Sequence, residues 1–218
     1  MYRYIFFDLD GTLTDSKEGV IKSARYAIEK MGYPQPSEAA MLKFVGPPLV
    51  DSFMEHCGAT HAQAEELVEL YRERYLPIGI FENAAAEGAA EMLGHLKEKG
   101  YRTALASSKP EVMCEKVCEY FGLAPYLDVI CGSPLHGDYT KADVIRDAMA
   151  RLGLTAEDVG EILMVGDRKY DVLGAAECGI TCLGLTLFGY AEEGELEEAG
   201  AAALVGTIEE LEAYILNH

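Results

Sequence analysis

The sequence lacks a long uncharged run and an apolar segment near its start. These absences argue against a membrane-spanning helix and against a signal peptide. Its longest uncharged stretch, Cys178 to Ala191, has 14 residues, whereas a membrane-spanning helix needs about 20. Charged residues at Arg3 and Asp8 come too early for the apolar region of a signal peptide. We therefore expect a soluble, cytoplasmic protein.

Paired cysteine motifs and excess positive charge are also missing. The six cysteines form no Cys-x-x-Cys pair, and two of their intervals are four residues, which is typical of packing in helices or strands rather than of a disulfide framework. The 37 acidic residues outnumber the 18 lysines and arginines, and the net charge is -19. This charge repels nucleic acids and anionic membranes, so neither is expected as a partner. An anionic substrate would need a local cation.

Short apolar runs alternate with segments of helical periodicity along most of the chain. The runs that predict strands are Tyr4–Phe7, Arg102–Ala106, Val129–Cys131, Ile162–Val165 and Thr181–Leu185. Each is followed by a segment with the pattern of a loop and a helix. The alternation predicts an α/β fold with a Rossmann-like parallel sheet flanked by helices.

The first two predicted strands lie about 95 residues apart, which is far more than a simple crossover helix requires. Helical patterns occupy the gap at Lys17–Met31, Pro47–Cys57 and His61–Leu76. We therefore predict a helical subdomain over residues 16–81. It would be inserted into a core domain formed by residues 1–15 and 82–218.

Polar residues follow three of the predicted strands. Taken singly, each would fit a helix cap or a turn. In a doubly wound sheet, however, the loops beyond the strand ends meet in one crevice. The residues concerned are Asp8 and Asp10 after the first strand, Ser107, Ser108 and Lys109 after the second, and Asp167 and Asp171 after the fourth. For Lys109, a surface role and a role in the site are left open.

Four carboxylates gathered in one crevice would repel each other. The repulsion reaches up to about 4 kcal/mol for a pair 4 Å apart at an effective dielectric constant of 20. A cation is therefore expected among them, and Mg²⁺ suits carboxylate and phosphate oxygens. Zn²⁺ is not expected, because the histidines lack His-x₃-His spacing.

Four ordered motifs make the pattern specific. They are "DLDGT" at Asp8–Thr12, "SSKP" at Ser107–Pro110, "KADVI" at Lys141–Ile145 and "GDRKYD" at Gly166–Asp171. Together they resemble the motifs of the haloacid dehalogenase superfamily of phosphotransferases. The inserted segment, including "VGPPLVDSF" at Val45–Phe53, is similar to the helical cap of the phosphoglycolate phosphatase-like branch.

The chain departs from that branch in two places. The Tyr-x-Gly turn common at the exit of the cap is replaced by Ala86-Glu87-Gly88. The third motif is introduced by "GSPLHGDYTK", Gly132–Lys141, and not by a Lys-Pro pair. This loop is similar to those of nucleotidase-like members, which keeps nucleoside monophosphates among the candidate substrates.

The resemblance implies a division of roles in hydrolysis of a small phosphate monoester. Asp8 would attack phosphorus to form an aspartyl-phosphate, and Asp10 would act as general acid and base. Phosphate binding would fall to Ser107, Ser108 and Lys141. Mg²⁺ would be held by Asp8, Asp10 through its carbonyl, Asp167 and Asp171, with Asp171 better suited to an indirect contact.

Other functions stay open at this point. A sugar-phosphate mutase would use the same motifs, and a non-catalytic protein could use the crevice for anion or nucleotide recognition. A dehalogenase is disfavoured because halide displacement does not require Asp10. Phosphoglycolate, a nucleoside monophosphate and pyrophosphate remain candidate substrates, and monomer and homodimer are both possible. The acidic segment Glu192–Glu198 is interpreted as a solvated helix face.

Overall fold

The computed structural model describes residues 1–135 and 139–218, which divide into two units. The first unit combines Met1–Thr14 with Ala85–His218, and the second is Asp15–Ala84. Assignment of the second unit as a cap for the site remains a proposal. Within the described ranges, no helix has both the length and the apolar character that crossing a membrane requires.

A six-stranded sheet is the centre of the first unit. In chain order the strands of the described residues are β1 (Tyr4–Phe7), β2 (Thr14–Asp15), β3 (Ala84–Ala85), β4 (Arg102–Pro110), β5 (Val129–Ser133), β6 (Ile162–Gly166), β7 (Thr181–Leu185) and β8 (Leu204–Val205). Strands β2 and β3 form a separate two-stranded sheet, and the other six form the main sheet. The sheet order is β5-β4-β1-β6-β7-β8, and its pairings are parallel. The predicted α/β fold with a Rossmann-like parallel sheet is confirmed.

Strand β1 lies centrally, between β4 and β6. Its residues Ile5, Phe6 and Phe7 are fully buried, as expected of a parallel strand covered on both faces. Phe7 is in register with Leu105 of β4 and with Val165 of β6. The residues that follow these three positions therefore emerge together at one edge of the sheet, where strand order reverses.

Helices make up the second unit and flank the sheet in the first. Helices α1 (Lys17–Lys30), α2 (Glu38–Leu42), α3 (Leu49–Cys57) and α4 (His61–Tyr75) belong to the second unit, and α5 (Ala89–Glu98), α6 (Glu111–Tyr120), α7 (Lys141–Leu152), α8 (Lys169–Glu177), α9 (Glu195–Ala199) and α10 (Ile208–Asn217) to the first. Helix α3 begins two residues later than predicted, after Pro48, because a residue that precedes a proline is disfavoured in helical conformation. Helix α2 was not predicted from the sequence.

Helices α7 and α8 pack beside each other against the sheet. Val144 and Ile145 of α7 and Val172 of α8 belong to a buried cluster with Phe6 and Met164 of the strands. Burial of each such side chain stabilises the fold by about 1.5–3 kcal/mol. This packing places the first turns of both helices at the sheet edge where β1, β4 and β6 end.

Candidate active site

The turn after β1 presents Asp8 and Asp10 at the edge of the sheet. The Asp8 backbone N–H donates to the Val165 carbonyl at 2.9 Å, which extends the pairing with β6 by one residue. Gly11 follows with φ of +88°, a conformation that residues with a Cβ rarely adopt. A Cβ at Gly11 would also overlap the Asp167 carboxylate. The glycine of "DLDGT" therefore allows two of the carboxylate-bearing loops to approach closely.

Asp167 lies in the turn between β6 and α8, and Asp171 is the third residue of α8. Both are 2% exposed. The Arg168 backbone N–H donates to Asp171 Oδ2 at 3.1 Å, so Asp171 caps the helix that carries it. A Cβ at Gly166 would overlap the Asp171 side chain. The spacing of "GDRKYD" is thus explained by a tight turn closed by its last aspartate.

Lys141 is the buried cation beside Asp8 and Asp171. It begins α7, whose first turn is fixed by a capping box: Thr140 Oγ1 accepts from the Asp143 N–H at 3.2 Å, and Asp143 Oδ2 accepts from the Thr140 N–H at 3.0 Å. Lys141 Nζ lies 2.7 Å from Asp8 Oδ1 and 2.7 Å from Asp171 Oδ1. It also donates to the Ala106 carbonyl at 3.0 Å. One ammonium group therefore links the residue after β1, strand β4 and the first turn of α8.

Three buried carboxylates lie close to one another, and two of them contact that ammonium group. Asp8, Asp167 and Asp171 each offer an oxygen within 4.8 Å of the others. Burial raises the pKa of Asp8 to about 6, although Lys141 opposes the shift. Burial and the neighbouring carboxylates of Asp171 and Asp8 raise the pKa of Asp167 well above its usual range. Full ionisation of the three carboxyls would therefore leave more negative charge than the one ammonium group of Lys141 offsets.

Asp167 identifies where a cation would fit. Its Oδ1 accepts one long hydrogen bond, 3.4 Å from Thr12 Oγ1, and its buried Oδ2 has no hydrogen-bond partner among the described residues. An unsatisfied buried carboxylate oxygen is costly. An all-oxygen donor set with excess negative charge fits Mg²⁺, which accepts one or two carboxylates and keeps its remaining positions for water and phosphate. The residues present are thus suited to this ion.

Asp10 has a different partner from Asp8. Lys109 Nζ donates to both Asp10 carboxylate oxygens, at 3.0 and 2.7 Å. The Lys109 side chain is 6% exposed and that of Asp10 is 17% exposed. The sequence alone is compatible with a surface role and with a site role for Lys109, and its contact with Asp10 places it in the site. The signal that could have located it is its position two residues after Ser107, at the end of the strand beside β1.

The two serines of the "SSKP" motif lie in unlike environments. Ser107 is 2% exposed, and its Oγ accepts a long hydrogen bond from the Lys109 N–H at 3.4 Å. Ser108 is exposed, and its carbonyl accepts from Ser133 Oγ at 2.8 Å. Their predicted role in phosphate binding stays a prediction. Residues 136–138, in the middle of the nucleotidase-like loop 132–141, lie outside the described residues.

The acidic segment Glu192–Glu198 differs from the sequence-based interpretation at one position. Glu192, Glu193, Glu197 and Glu198 are exposed, but the Glu195 side chain is only 8% exposed and pairs with Arg168 at 2.8 Å. The prediction of a solvated face is therefore wrong for Glu195. A uniformly acidic sequence gives no signal of this, because the pairing depends on how α9 packs beside α8.

The chain is similar in sequence and structure to known proteins. The family model of haloacid dehalogenase-like hydrolases matches residues 5–185. The chain belongs to this family. The motif-based resemblance is thereby confirmed, and with it the prediction of a phosphatase-type hydrolase at the level of the family.

Individual relatives of the chain carry several names. The 5'-nucleotidase of Pseudomonas aeruginosa is 39% identical over 196 residues, covering 89% of this chain and 87% of that protein. The tyrosine-protein kinase PtkA of Mycobacterium tuberculosis is 33% identical over 210 residues, covering 95% and 70%. The crystal structure of a predicted phosphatase from Clostridium acetobutylicum superimposes with a TM-score of 0.93 at 40% identity, covering 100% of both chains. Because these names differ, family membership alone does not identify the substrate.

Proposed function

We propose that the protein is a Mg²⁺-dependent phosphatase that hydrolyses a small phosphate monoester through an aspartyl-phosphate on Asp8. The observation that carries this proposal is the contact of Lys141 with both Asp8 and Asp171 beside the unpartnered oxygen of Asp167. A carboxylate nucleophile with a buried cation and a suitable metal position meets the main needs of phosphoryl transfer, which are positioning and charge neutralisation. We also propose that the protein is cytoplasmic, as expected from the sequence.

In the first step, an oxygen of Asp8 attacks phosphorus and the bond from phosphorus to the ester oxygen breaks. Lys141 fixes the Asp8 carboxylate through Oδ1 and, close to the incoming phosphoryl group, offsets part of its charge. Ser107 and Ser108 are proposed to donate to the phosphoryl oxygens. Asp8, Asp167 and the Asp10 carbonyl would hold Mg²⁺, which would further neutralise the charge of the phosphate. Asp171 would contribute indirectly, by holding Lys141 in place.

Asp10 is proposed to be the general acid and general base of the reaction. It would donate a proton to the departing alcohol and then take one from the water that hydrolyses the aspartyl-phosphate. Lys109 contacts both oxygens of Asp10 and so restricts its side chain. The same residue cannot serve as nucleophile and as proton carrier at once. This explains two aspartates, one residue apart, at the end of a single strand.

A nucleoside monophosphate is the first substrate class to test. Two observations favour it: the 5'-nucleotidase among the relatives, and the nucleotidase-like loop that precedes Lys141. Phosphoglycolate and pyrophosphate are the next substrates to test. Transfer to an acceptor other than water, as in a mutase, is the alternative reaction, and the kinase name of one relative makes it worth separating. The second unit is proposed to be a cap that selects the leaving group.

The test measures inorganic phosphate released from nucleoside monophosphates, phosphoglycolate, pyrophosphate and p-nitrophenyl phosphate. We expect release with Mg²⁺, loss of release with a chelator and recovery when Mg²⁺ is restored. Phosphate recovered on an added sugar or peptide, without inorganic phosphate, would favour a transferase. Tight substrate binding without turnover of any ester would favour a non-catalytic binding protein and overturn the proposal.

A further inference from the structure

A buried carboxylate outside the four motifs contacts the turn that carries Asp167. Glu195, the first residue of α9, accepts hydrogen bonds from Arg168, Lys169 and Glu192. Arg168 Nε and the Lys169 backbone N–H donate to Oε1 at 2.8 and 2.9 Å. Arg168 Nη2 and the Glu192 backbone N–H donate to Oε2 at 3.3 and 3.2 Å. Both oxygens are thus occupied by donors that hold the carboxylate in one position.

These contacts fix the two residues that follow Asp167 in the chain. Lys169 is the first residue of α8, and its backbone N–H has no acceptor within its own helix. Glu195 provides that acceptor from another helix. On the other side of the turn, the Arg168 N–H is held by Asp171. The backbone at residues 168 and 169 is therefore anchored by one carboxylate within the motif and one outside it.

The Asp167 carboxylate is itself weakly held by protein groups. Its Oδ1 has one long hydrogen bond to Thr12 and its Oδ2 has no partner among the described residues. Direct hydrogen bonds therefore do little to fix this side chain. Its position depends on the backbone that carries it, which the contacts of Glu195 and Asp171 hold in place.

We propose that Glu195 is a positioning residue for the metal site, which acts by holding the turn at Arg168 and Lys169 so that Asp167 faces the ion. The inference rests on the proposed function, because it takes Asp167 as a ligand of Mg²⁺. Residues that orient metal ligands typically contribute about 10–100-fold to metal affinity. Glu195 would therefore set how tightly the protein binds Mg²⁺ without touching the ion or the substrate.

The experiment titrates the full-length, metal-free protein with Mg²⁺ in a calorimeter, without substrate. Glu195→Ala is expected to raise the Mg²⁺ Kd by about 10-fold or more. Glu195→Gln keeps the size of the side chain, loses its charge and is expected to show a smaller increase. Glu197→Ala is the matched control, because it removes the same charge from an exposed position of the same helix. It is expected to leave the Kd within about twofold of wild type.

Two further measurements separate positioning from general loss of structure. Hydrogen exchange of the metal-free protein should be faster in the peptide containing Lys169 for Glu195→Ala than for Glu197→Ala. At saturating Mg²⁺ the KM for substrate should match wild type, whereas the Mg²⁺ concentration for half activity should rise with the Kd.

A Kd for Glu195→Ala equal to that of Glu197→Ala would overturn the inference, and so would a wild-type protein that binds no Mg²⁺. Faster exchange with an unchanged Kd would also overturn it, because Glu195 would then have a structural role only. If Glu195→Ala does not fold, the Kd of Glu195→Gln decides in the same way. The titration needs no turnover, so a protein that binds Mg²⁺ but releases no phosphate would count against the proposed function alone.

Discussion

Ion pairs of similar length occur in both units of the molecule, but their surroundings differ. In the second unit, Arg25 and Glu38 approach to 2.6 Å, and the Glu38 side chain is 87% exposed. In the first, Lys141 lies 2.7 Å from Asp8 and from Asp171, and these three side chains are 5%, 12% and 2% exposed. Water screens the first pair and is excluded from the second group. Burial, rather than acidity or distance, therefore distinguishes the candidate active site in a chain with a net charge of -19.

The largest effect is expected from loss of the proposed nucleophile. Asp8→Asn should lower phosphate release by at least about 1,000-fold, because removal of a catalytic nucleophile has costs of that order or more. Asp10→Asn should lower it by about 100-fold to 10,000-fold, the usual contribution of general acid and base catalysis. Glu115→Gln is the control, because it makes the same chemical change at an exposed position of α6. An Asp8→Asn protein that keeps most of its rate would contradict the assignment.

The second effect concerns stability and compares the two kinds of ion pair directly. Lys141→Met should lower the free energy of unfolding by about 3–5 kcal/mol, because it leaves two buried carboxylates without their cation. Urea denaturation in the presence of a chelator measures the change. A loss below about 1 kcal/mol would show that the buried group is as well solvated as a surface pair.

The third effect is a dependence on pH, and its sign follows from the raised pKa values. In the metal-free protein Asp8 has a pKa of about 6, and the pKa of Asp167 is well above its usual range. Between about pH 4 and 6 the folded state therefore binds more protons than the unfolded state, so these groups make stability fall as pH rises. With a chelator, Asp167→Asn should melt at a higher temperature than wild type at pH 7.5, and the difference should shrink towards pH 4.

Adding Mg²⁺ at pH 7.5 should reduce or reverse the difference in melting temperature between wild type and Asp167→Asn. The ion should raise the melting temperature of wild type, because it binds the folded state only. It should have a much smaller effect on Asp167→Asn. A variant that is less stable than wild type in chelator at pH 7.5 would contradict the raised pKa of Asp167.

The smallest effect is expected at the exposed pair. Glu38→Gln should leave the urea midpoint unchanged within error, because the Glu38 side chain is almost fully solvated and exposed pairs contribute little. The measurement uses the same conditions as for Lys141→Met. A loss comparable to that of Lys141→Met would remove the contrast between the two units.

Elements with a simple apolar pattern were predicted well from the sequence. Strand β1, Tyr4–Phe7, has the predicted bounds because every residue in it is apolar and at least partly buried. Strand β4 continues to Pro110, four residues beyond the predicted end at Ala106. Its polar final residues are held by pairing with β5 that shifts register between Ser107 and Pro110. Backbone pairing of this kind leaves no hydrophobic signal.

The sequence predicts which residues lie in the candidate site better than it predicts which of their side chains pair with each other. Parallel strands must deliver Asp8 and Asp167 to the same edge, so their proximity follows from the order of strands and loops. The sequence does not show which ammonium group meets which carboxylate. Pairing of Lys109 with Asp10, and burial of Glu195 against Arg168, depend on side-chain directions and helix packing that only the folded chain determines.

The central place of β1 also governs when the crevice can form during synthesis. Tyr4 pairs with Arg102 and with Ile162, so the first strand made has partners that leave the ribosome much later. Closing such long loops is slow compared with forming local helices. The carboxylates can come together only after Asp171 has been translated. A truncated chain that ends before β6 would therefore hold Asp8, the proposed nucleophile, together with Lys141, but would lack strand β6 and the carboxylates of Asp167 and Asp171.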